Sequence, residues 1–240
     1  MTAHATRKEG HRATSHQLAT RRSSGGDPVS SINITRLASE QIEPAARLLA
    51  RAFVTNPVHV AAFGPGRLAA NEAFFHVGLV AMKGPKLVAM EGSALVGVIH
   101  WVASPACQYS LGEKLRMMPR MARNVGVRPA FRVAAWLSEW SKLDPPEPHL
   151  HLGPIGVDPE LQGRQIGRRL MEQYCQAQDQ AGVAGYLETD RPENVDFYRR
   201  FDFEVTATRR VLDIPNYFMR RRAGRADYST RFTHPGSARG

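Results

Sequence analysis

Gln162, Gly163, Arg164, Gln165, Ile166 and Gly167 stand between an alternating apolar run and a stretch of helical periodicity. Backbone N–H groups at such a junction open a helix without intrahelical partners, and with the helix dipole they make a site for an anion such as phosphate. Arg164, Arg168 and Arg169 can add positive charge there. Neither G-x-G-x-x-G nor G-x-x-x-x-G-K-[ST] occurs, which argues against a Rossmann dinucleotide site and a P-loop nucleotidase. Two glycines four apart also fit a loop that merely starts a helix. Just upstream, His149 and His151 alternate onto one face of a strand, as a proton-handling pair or a metal pair would. No third ligand at convincing spacing accompanies them, so no metal is expected. Gly153-Pro154 then interrupts the strand before Ile155, Gly156 and Val157. Proline cannot donate to a ladder and glycine within a strand marks a bulge, so the strand should splay from a neighbour here and leave N–H and C=O groups for an extended ligand.

The elements that must position these groups are legible on either side. Ile166, Leu170, Met171, Tyr174, Ala177 and Ala181 recur at helical spacing until Gly182. Residues 185–189 form a short strand, and residues 194–203 a short helix with Phe197 and Phe201 as an i, i+4 pair. Towards the N-terminus, residues 32–37 alternate as a first strand, Ser39 provides an N-cap, and a helix runs from Ile42 to Phe53 until Asn56-Pro57 stops it. A second helix is expected over residues 67–82. A hairpin follows from residues 86–90 and 94–102 around Glu91-Gly92-Ser93. Residues 113–143 read as two helices broken at residues 126–129, with Leu115, Met118, Met121, Ala122 and Val125 striping the first and Phe131, Ala134, Ala135 and Trp140 contributing to the second. Such a stripe is core or the wall of an adaptable pocket. Residues 144–148, Asp-Pro-Pro-Glu-Pro, are a stiff extended connector. Residues 205–212 and 216–221 make a terminal hairpin around Asp213-Ile214-Pro215.

The order of strand, Q-x-x-x-x-G loop, helix, L-E-T strand and Asn194-Val195-Asp196-Phe197-Tyr198 resembles the GNAT superfamily of N-acetyltransferases, whose acyl-CoA motif is [RQ]-x-x-G-x-[GA] and whose later segment often reads N-x-x-[FA]-Y-x-x-x-G-F. Within it, the L-E-T…N-x-x-F-Y segment is similar to the branch that includes puromycin N-acetyltransferase. The resemblance implies a single α/β domain over residues 32–221, with a mixed, mostly antiparallel sheet flanked by helices and a splayed central strand pair. It also implies direct transfer of an acetyl group from acetyl-CoA to an amine. Ile155, Gly156 and Val157 would hold pantetheine and polarise the thioester carbonyl. Gln162, Gly163, Arg164, Gln165, Ile166, Gly167 and Arg168 would hold the pyrophosphate. Asn194 matches the cofactor-contacting asparagine, with helix capping as its plain alternative, and Tyr198 matches the tyrosine that protonates the departing thiolate, with packing as its alternative. Glu188, on the strand facing the splay, is the candidate base, with His149 and His151 as rivals. Two positions depart from the pattern: Gln165 and Asp202 stand where glycine is usual.

Charge and composition bound the remaining options. The chain has 240 residues, 42% of them apolar, and a net charge of +10. Residues 1–31 carry +3 and residues 220–240 carry +5, which leaves +2 for the central chain. The two ends, 1–31 and 222–240, read as disordered basic tails, and the folded body offers little to nucleic acid. Residues 113–143 read as a helical insertion that walls the acceptor site. Cys107 and Cys175 form no CxxC pair or disulfide framework, and neither a long apolar run nor a signal segment is found, so a soluble cytoplasmic protein without membrane association is expected. A small amine is the expected acceptor and a homodimer is left open. Two rival functions are a non-catalytic acyl-CoA-binding sensor module, suggested by Gln165, and a nucleic-acid-binding protein using the basic tails.

Overall fold

Alternation and helical periodicity resolve into seven strands and seven helices in the computed structural model, which describes residues 32–224. In chain order these are β1 (Ile32–Arg36), α1 (Ile42–Phe53), α2 (Pro57–Phe63), α3 (Leu68–Ala81), β2 (Lys86–Glu91), β3 (Ala94–Ala103), α4 (Leu111–Val125), α5 (Val127–Ser141), β4 (His149–Val157), α6 (Ile166–Ala181), β5 (Ala184–Thr189), α7 (Pro192–Arg199), β6 (Glu204–Val211) and β7 (Ile214–Arg221). The sheet order is β1-β2-β3-β4-β5-β7-β6. Every neighbouring pair is antiparallel except β4 and β5, which are parallel. This is the expected mixed, mostly antiparallel sheet. The expected tail at 1–31, and all of the expected tail at 222–240 beyond residue 224, lie outside the described residues.

Strand alternation sends successive side chains to opposite faces, and the two faces carry different helices. Ala89 and Ile99 join Leu170, Met171 and Tyr174 of α6 in one core. Val88 and Val98, one residue away along the same strands, join Leu48 and Leu49 of α1 and Phe75 and Leu79 of α3 in another. A third core, built from α2, α4, α5 and Val211, lies under the insertion. Tyr174 fixes α6 on the sheet by donating its hydroxyl to the Leu150 carbonyl at 2.6 Å.

Several expectations are corrected. Ser39 does not cap α1. It opens a one-turn 3-10 segment, and the side chain of Gln41 instead accepts from the Ala38 N–H at 3.0 Å. α1 ends at Phe53 before the extended Asn56, as expected, but Pro57 also starts a further helix, α2, because proline at a first helical position needs no N–H partner. On α5 the buried stripe is Ala130, Val133 and Trp136, while Phe131 is 66% exposed; on α4, Leu115 is 65% exposed. The break between the two helices is Gly126 alone, at φ +94°. The terminal hairpin turns at Leu212 and Asp213, both at positive φ, so Ile214 and Pro215 belong to β7. Arg220 and Arg221 lie in the terminal hairpin as expected, but their charge is not free: Arg220 pairs with Glu147 and Arg221 with Asp179, so part of the C-terminal basicity is consumed by the fold.

Leu170 is fully buried where α6 crosses the sheet, against the bare backbone of Gly97. Leu170→Ala should lower the unfolding free energy by about 2–5 kcal/mol in a urea titration, whereas Phe131→Ala should stay within about 0.5 kcal/mol.

Candidate active site

The site begins where two strands part. β4 pairs with β5 only through His149, Leu150 and His151, opposite Ala184, Gly185 and Tyr186. Beyond His151, β4 remains paired with β3 as far as Val157 while β5 continues along β7. The edge of β4 that faces β5 therefore lacks a ladder partner over Ile155, Gly156 and Val157. The parting coincides with a bulge, since Gly153 and Pro154 together oppose His100 of β3. A Cβ on Gly153 would collide with the His100 ring, so only glycine lets the chain pass there.

From the fork the chain reaches the start of α6. The first helical bond runs from the Arg169 N–H to the Gln165 carbonyl at 3.1 Å, so the N–H groups of Ile166, Gly167 and Arg168 precede the ladder. Gln165 sits at φ +62° and Asp202 at φ +64°, in the left-handed region. The two departures from the glycine pattern thus fall where an L side chain is strained by roughly 1–2 kcal/mol. Gln162, Gly163, Gln165, Ile166, Gly167 and Arg168 line a cavity of about 1060 Å³. The Arg164 side chain does not line it: both its terminal nitrogens hold Glu91 of β2, the shorter contact being 2.6 Å. Ile166 is buried in the core beside Leu170, so it can offer a ligand only its N–H.

The same cavity continues past β4 to α2, α3, α4 and α5, and its walls change character. Near the fork stand Asn194 and Tyr198 of α7. Asn194 does not cap its helix; its amide donates to the Thr189 hydroxyl at 3.1 Å. Tyr198 is 6% exposed, and burial together with the charge of Asp190 pushes its hydroxyl pKa up, so it holds its proton at neutral pH. Asp190 itself is buried and accepts from the Val58 N–H of α2 at 2.7 Å and from Asn56 at 3.4 Å, taking the place of a cap on that helix. At the far end, the His59 ring lies 5.0 Å from Trp136, 5.4 Å from Phe75 and 5.6 Å from Phe74. His59 is 3% exposed; burial drives its pKa down to about 4 against the opposing effect of Asn71, 2.6 Å away. The Trp136 indole N–H is buried without a hydrogen-bond partner.

A charged cluster occupies the last rung before the fork. His151 meets Glu188 Oε2 through Nε2 at 2.8 Å, and the other carboxylate oxygen of Glu188 is buried without a partner. His149 Nε2 lies 3.0 Å from Asp144, and Cys107 Sγ is 3.2 Å from the same carboxylate. Burial opposes charge on both rings, yet the Asp144 and Cys107 contacts lift His149 to about 9, and Glu188 with Asp144 lifts His151 well above the usual range. Sequence reasoning placed His149, His151 and Glu188 together and missed Cys107, Asp144 and Asp190. Asp144 is near His149 in sequence, but three prolines within 145–148 suggest only a spacer. Nothing in the pattern ties Cys107 to it.

Residues 84–205, just over half of the chain, match the family model described as an acetyltransferase (GNAT) domain. The chain belongs to the GNAT acetyltransferase family. It is an acetyl-CoA-dependent acyltransferase. Solved structures share the GNAT fold across most of its length. A histone acetyltransferase HPA2 and related acetyltransferase from Corynebacterium glutamicum has a TM-score of 0.62 at 18% identity, covering 81% of this chain and 97% of that one. The polyamine N-acetyltransferase of Drosophila melanogaster gives 0.58 at 18%, covering 80% and 100%. Arylalkylamine N-acetyltransferase 2 of Aedes aegypti gives 0.57 at 10%, covering 80% and 99%. At these identities the likeness is one of fold. No helix among the described residues is long and apolar enough to cross a membrane.

His59 offers a direct check on the dryness of the far wall. Its unfolded-state pKa of 6.5 falls to about 4 on folding, so the stability carried by the neutral ring is present above 6.5 and is lost as pH falls towards 4. Imidazole NMR titration of the folded protein should show this ring neutral at pH 6; a midpoint near 6.5 would mean that water fills the aromatic end.

Proposed function

We propose that this GNAT enzyme transfers acetyl directly from acetyl-CoA to the neutral amine of a small acceptor with an apolar or aromatic body. The observation that carries this reading is the fork: an unpartnered strand edge leads into the free N–H groups at the start of α6, with Tyr198 beside it. In this reading Ile155, Gly156 and Val157 bind pantetheine along the open edge of β4. The N–H groups of Gly163, Arg164, Gln165, Ile166, Gly167 and Arg168, with the side chain of Gln162, hold the pyrophosphate. Asn194 contacts the cofactor through the amide oxygen that Thr189 leaves free.

The amine nitrogen attacks the thioester carbonyl carbon, and main-chain N–H groups of β4 stabilise the oxygen of the tetrahedral intermediate. Collapse breaks the C–S bond. The thiolate takes the Tyr198 proton, and the amine proton passes to the unpartnered Glu188 oxygen, directly or through water. A tyrosine whose proton is held by burial until a strong base appears suits this task. For the acceptor, the far wall argues most: His59 in its neutral form, Phe74, Met118, Met121 and Trp136 favour an apolar body, and the Trp136 N–H can serve one hydrogen-bond acceptor on it. The polyamine and arylalkylamine enzymes support an amine only through the shared fold.

Acetyl-CoA at about 100 times its dissociation constant should stabilise the protein by roughly 2.7 kcal/mol in a thermal shift experiment; no shift at millimolar ligand would remove the cradle. Tyr198→Phe should reduce kcat on the order of 10²-fold with an unchanged KM for acetyl-CoA, and Glu188→Gln should reduce kcat similarly with the melting temperature retained. Full turnover in either variant removes the corresponding proton-transfer role.

A further inference from the structure

We propose that Cys107, Asp144, His149 and His151 form a binding site for a zinc-class divalent cation that clips both ends of the α4–α5 insertion to β4. One donor atom from each of the four residues lies within 4.8 Å of the others. Zinc held at about 2.0–2.1 Å by nitrogen or oxygen and about 2.3 Å by sulfur, at tetrahedral angles, requires its ligand atoms to stand roughly 3.3–3.6 Å apart. The separations here are 3.0 Å from His149 Nε2 and 3.3 Å from His151 Nδ1 to Asp144 Oδ1, 3.2 Å from Cys107 Sγ to Asp144 Oδ2 and 3.7 Å from Cys107 Sγ to His149 Nε2, with all pairs within 4.8 Å, so an ion would draw the four groups slightly together.

Counting donors and acceptors gives an independent reason. His149 Nδ1 faces the Glu147 carbonyl at 2.8 Å, and a carbonyl only accepts, so Nδ1 keeps its proton and the proton a metal would displace is the one on Nε2, which points towards Asp144 and Cys107. His151 Nε2 faces the Glu188 carboxylate, so Nδ1 is the nitrogen turned to the same point; it is buried and makes no well-directed hydrogen bond, with Asp144 Oδ1 3.3 Å away. With those protons displaced, two imidazole lone pairs, a carboxylate and a sulfur converge on one point, and a cation takes over the positive charge that the carboxylates now draw from the two rings.

The outer contacts are also those of a ligating pair. Each histidine is oriented through its second nitrogen, one by a carbonyl and one by a carboxylate, as metal-bound histidines are. Thiolate, two imidazoles and a carboxylate together suit zinc better than a hard cation such as magnesium. With four protein donors the tetrahedron is closed, so the ion holds structure and does not activate water. Cys107 precedes α4 and Asp144 follows α5, so one ion ties the two loops of the insertion to the strand that carries both histidines. Binding releases to solvent the Cys107 thiol proton and the protons on His149 Nε2 and His151 Nδ1.

The test uses the full chain, stripped with chelator and titrated separately with Zn²⁺ and Co²⁺. The expected result is one equivalent bound per chain, a raised melting temperature, and a thiolate-to-cobalt charge-transfer band. Cys107→Ser should abolish the band and weaken Zn²⁺ binding by more than about 100-fold, while Cys175→Ser retains both. Absence of stoichiometric binding, or a cobalt complex without the thiolate band, overturns the proposal in the wild-type protein whether or not the variants fold. So does a band that survives Cys107→Ser. A pair of imidazolium rings balanced by Asp144 and Glu188 would give the first of these results.

Discussion

Three rungs of parallel ladder between β4 and β5 are the constraint on which the molecule depends. Strands that stay paired bury their polar backbone for each other, and strands that part must find other partners or a ligand. Here the parting falls in the middle of the sheet and opens the edge of β4 onto the cavity. The bulge at Gly153-Pro154 lets β4 turn from β5 without leaving β3, and Tyr174 holds the Leu150 carbonyl from the α6 side. The opening is therefore a fixed feature of a well-packed sheet.

That opening joins two environments that sequence distance keeps apart. On one side are the N–H groups at the start of α6, suited to negative oxygens. On the other is an aromatic wall made by α2, α3 and α5. The charged residues at the last rung lie between them, and they come from β4, β5 and the loops on either side of the insertion. Placing the insertion between β3 and β4 brings its two ends beside the fork without disturbing the strand order. The core under α4 and α5 shares Phe74 with the α1–α3 face and nothing with the α6 face, so the insertion packs apart from the helix that starts at the fork.

Much of this was legible in the sequence, and for local reasons. The strand pattern of β4, the glycine-proline break, the helical repeat of α6 and the N-x-x-F-Y segment each depend on neighbours within one element. They put the parting of β4 from β5 and the starts of α6 and α7 where the structure has them. What escaped depends on contacts between distant segments. Asp144 looked like part of a spacer because prolines follow it, and only the folded chain brings Cys107 to it. Phe131 looked like core because it is large, but the helical phase set by Ala130, Val133 and Trp136 turns it outward. Arg220 and Arg221 were counted with a basic tail, since charge composition does not reveal that Glu147 and Asp179 wait for them.

Asp190 connects the two environments through a single carboxylate. It anchors the Val58 end of α2, which carries His59 into the aromatic wall, and its charge helps keep the proton on Tyr198. A change in the wall that shifts α2 is therefore felt at the tyrosine hydroxyl without any contact between the two. The Val58–Asp190 bond thus makes the position of α2 and the proton of Tyr198 parts of one electrostatic unit.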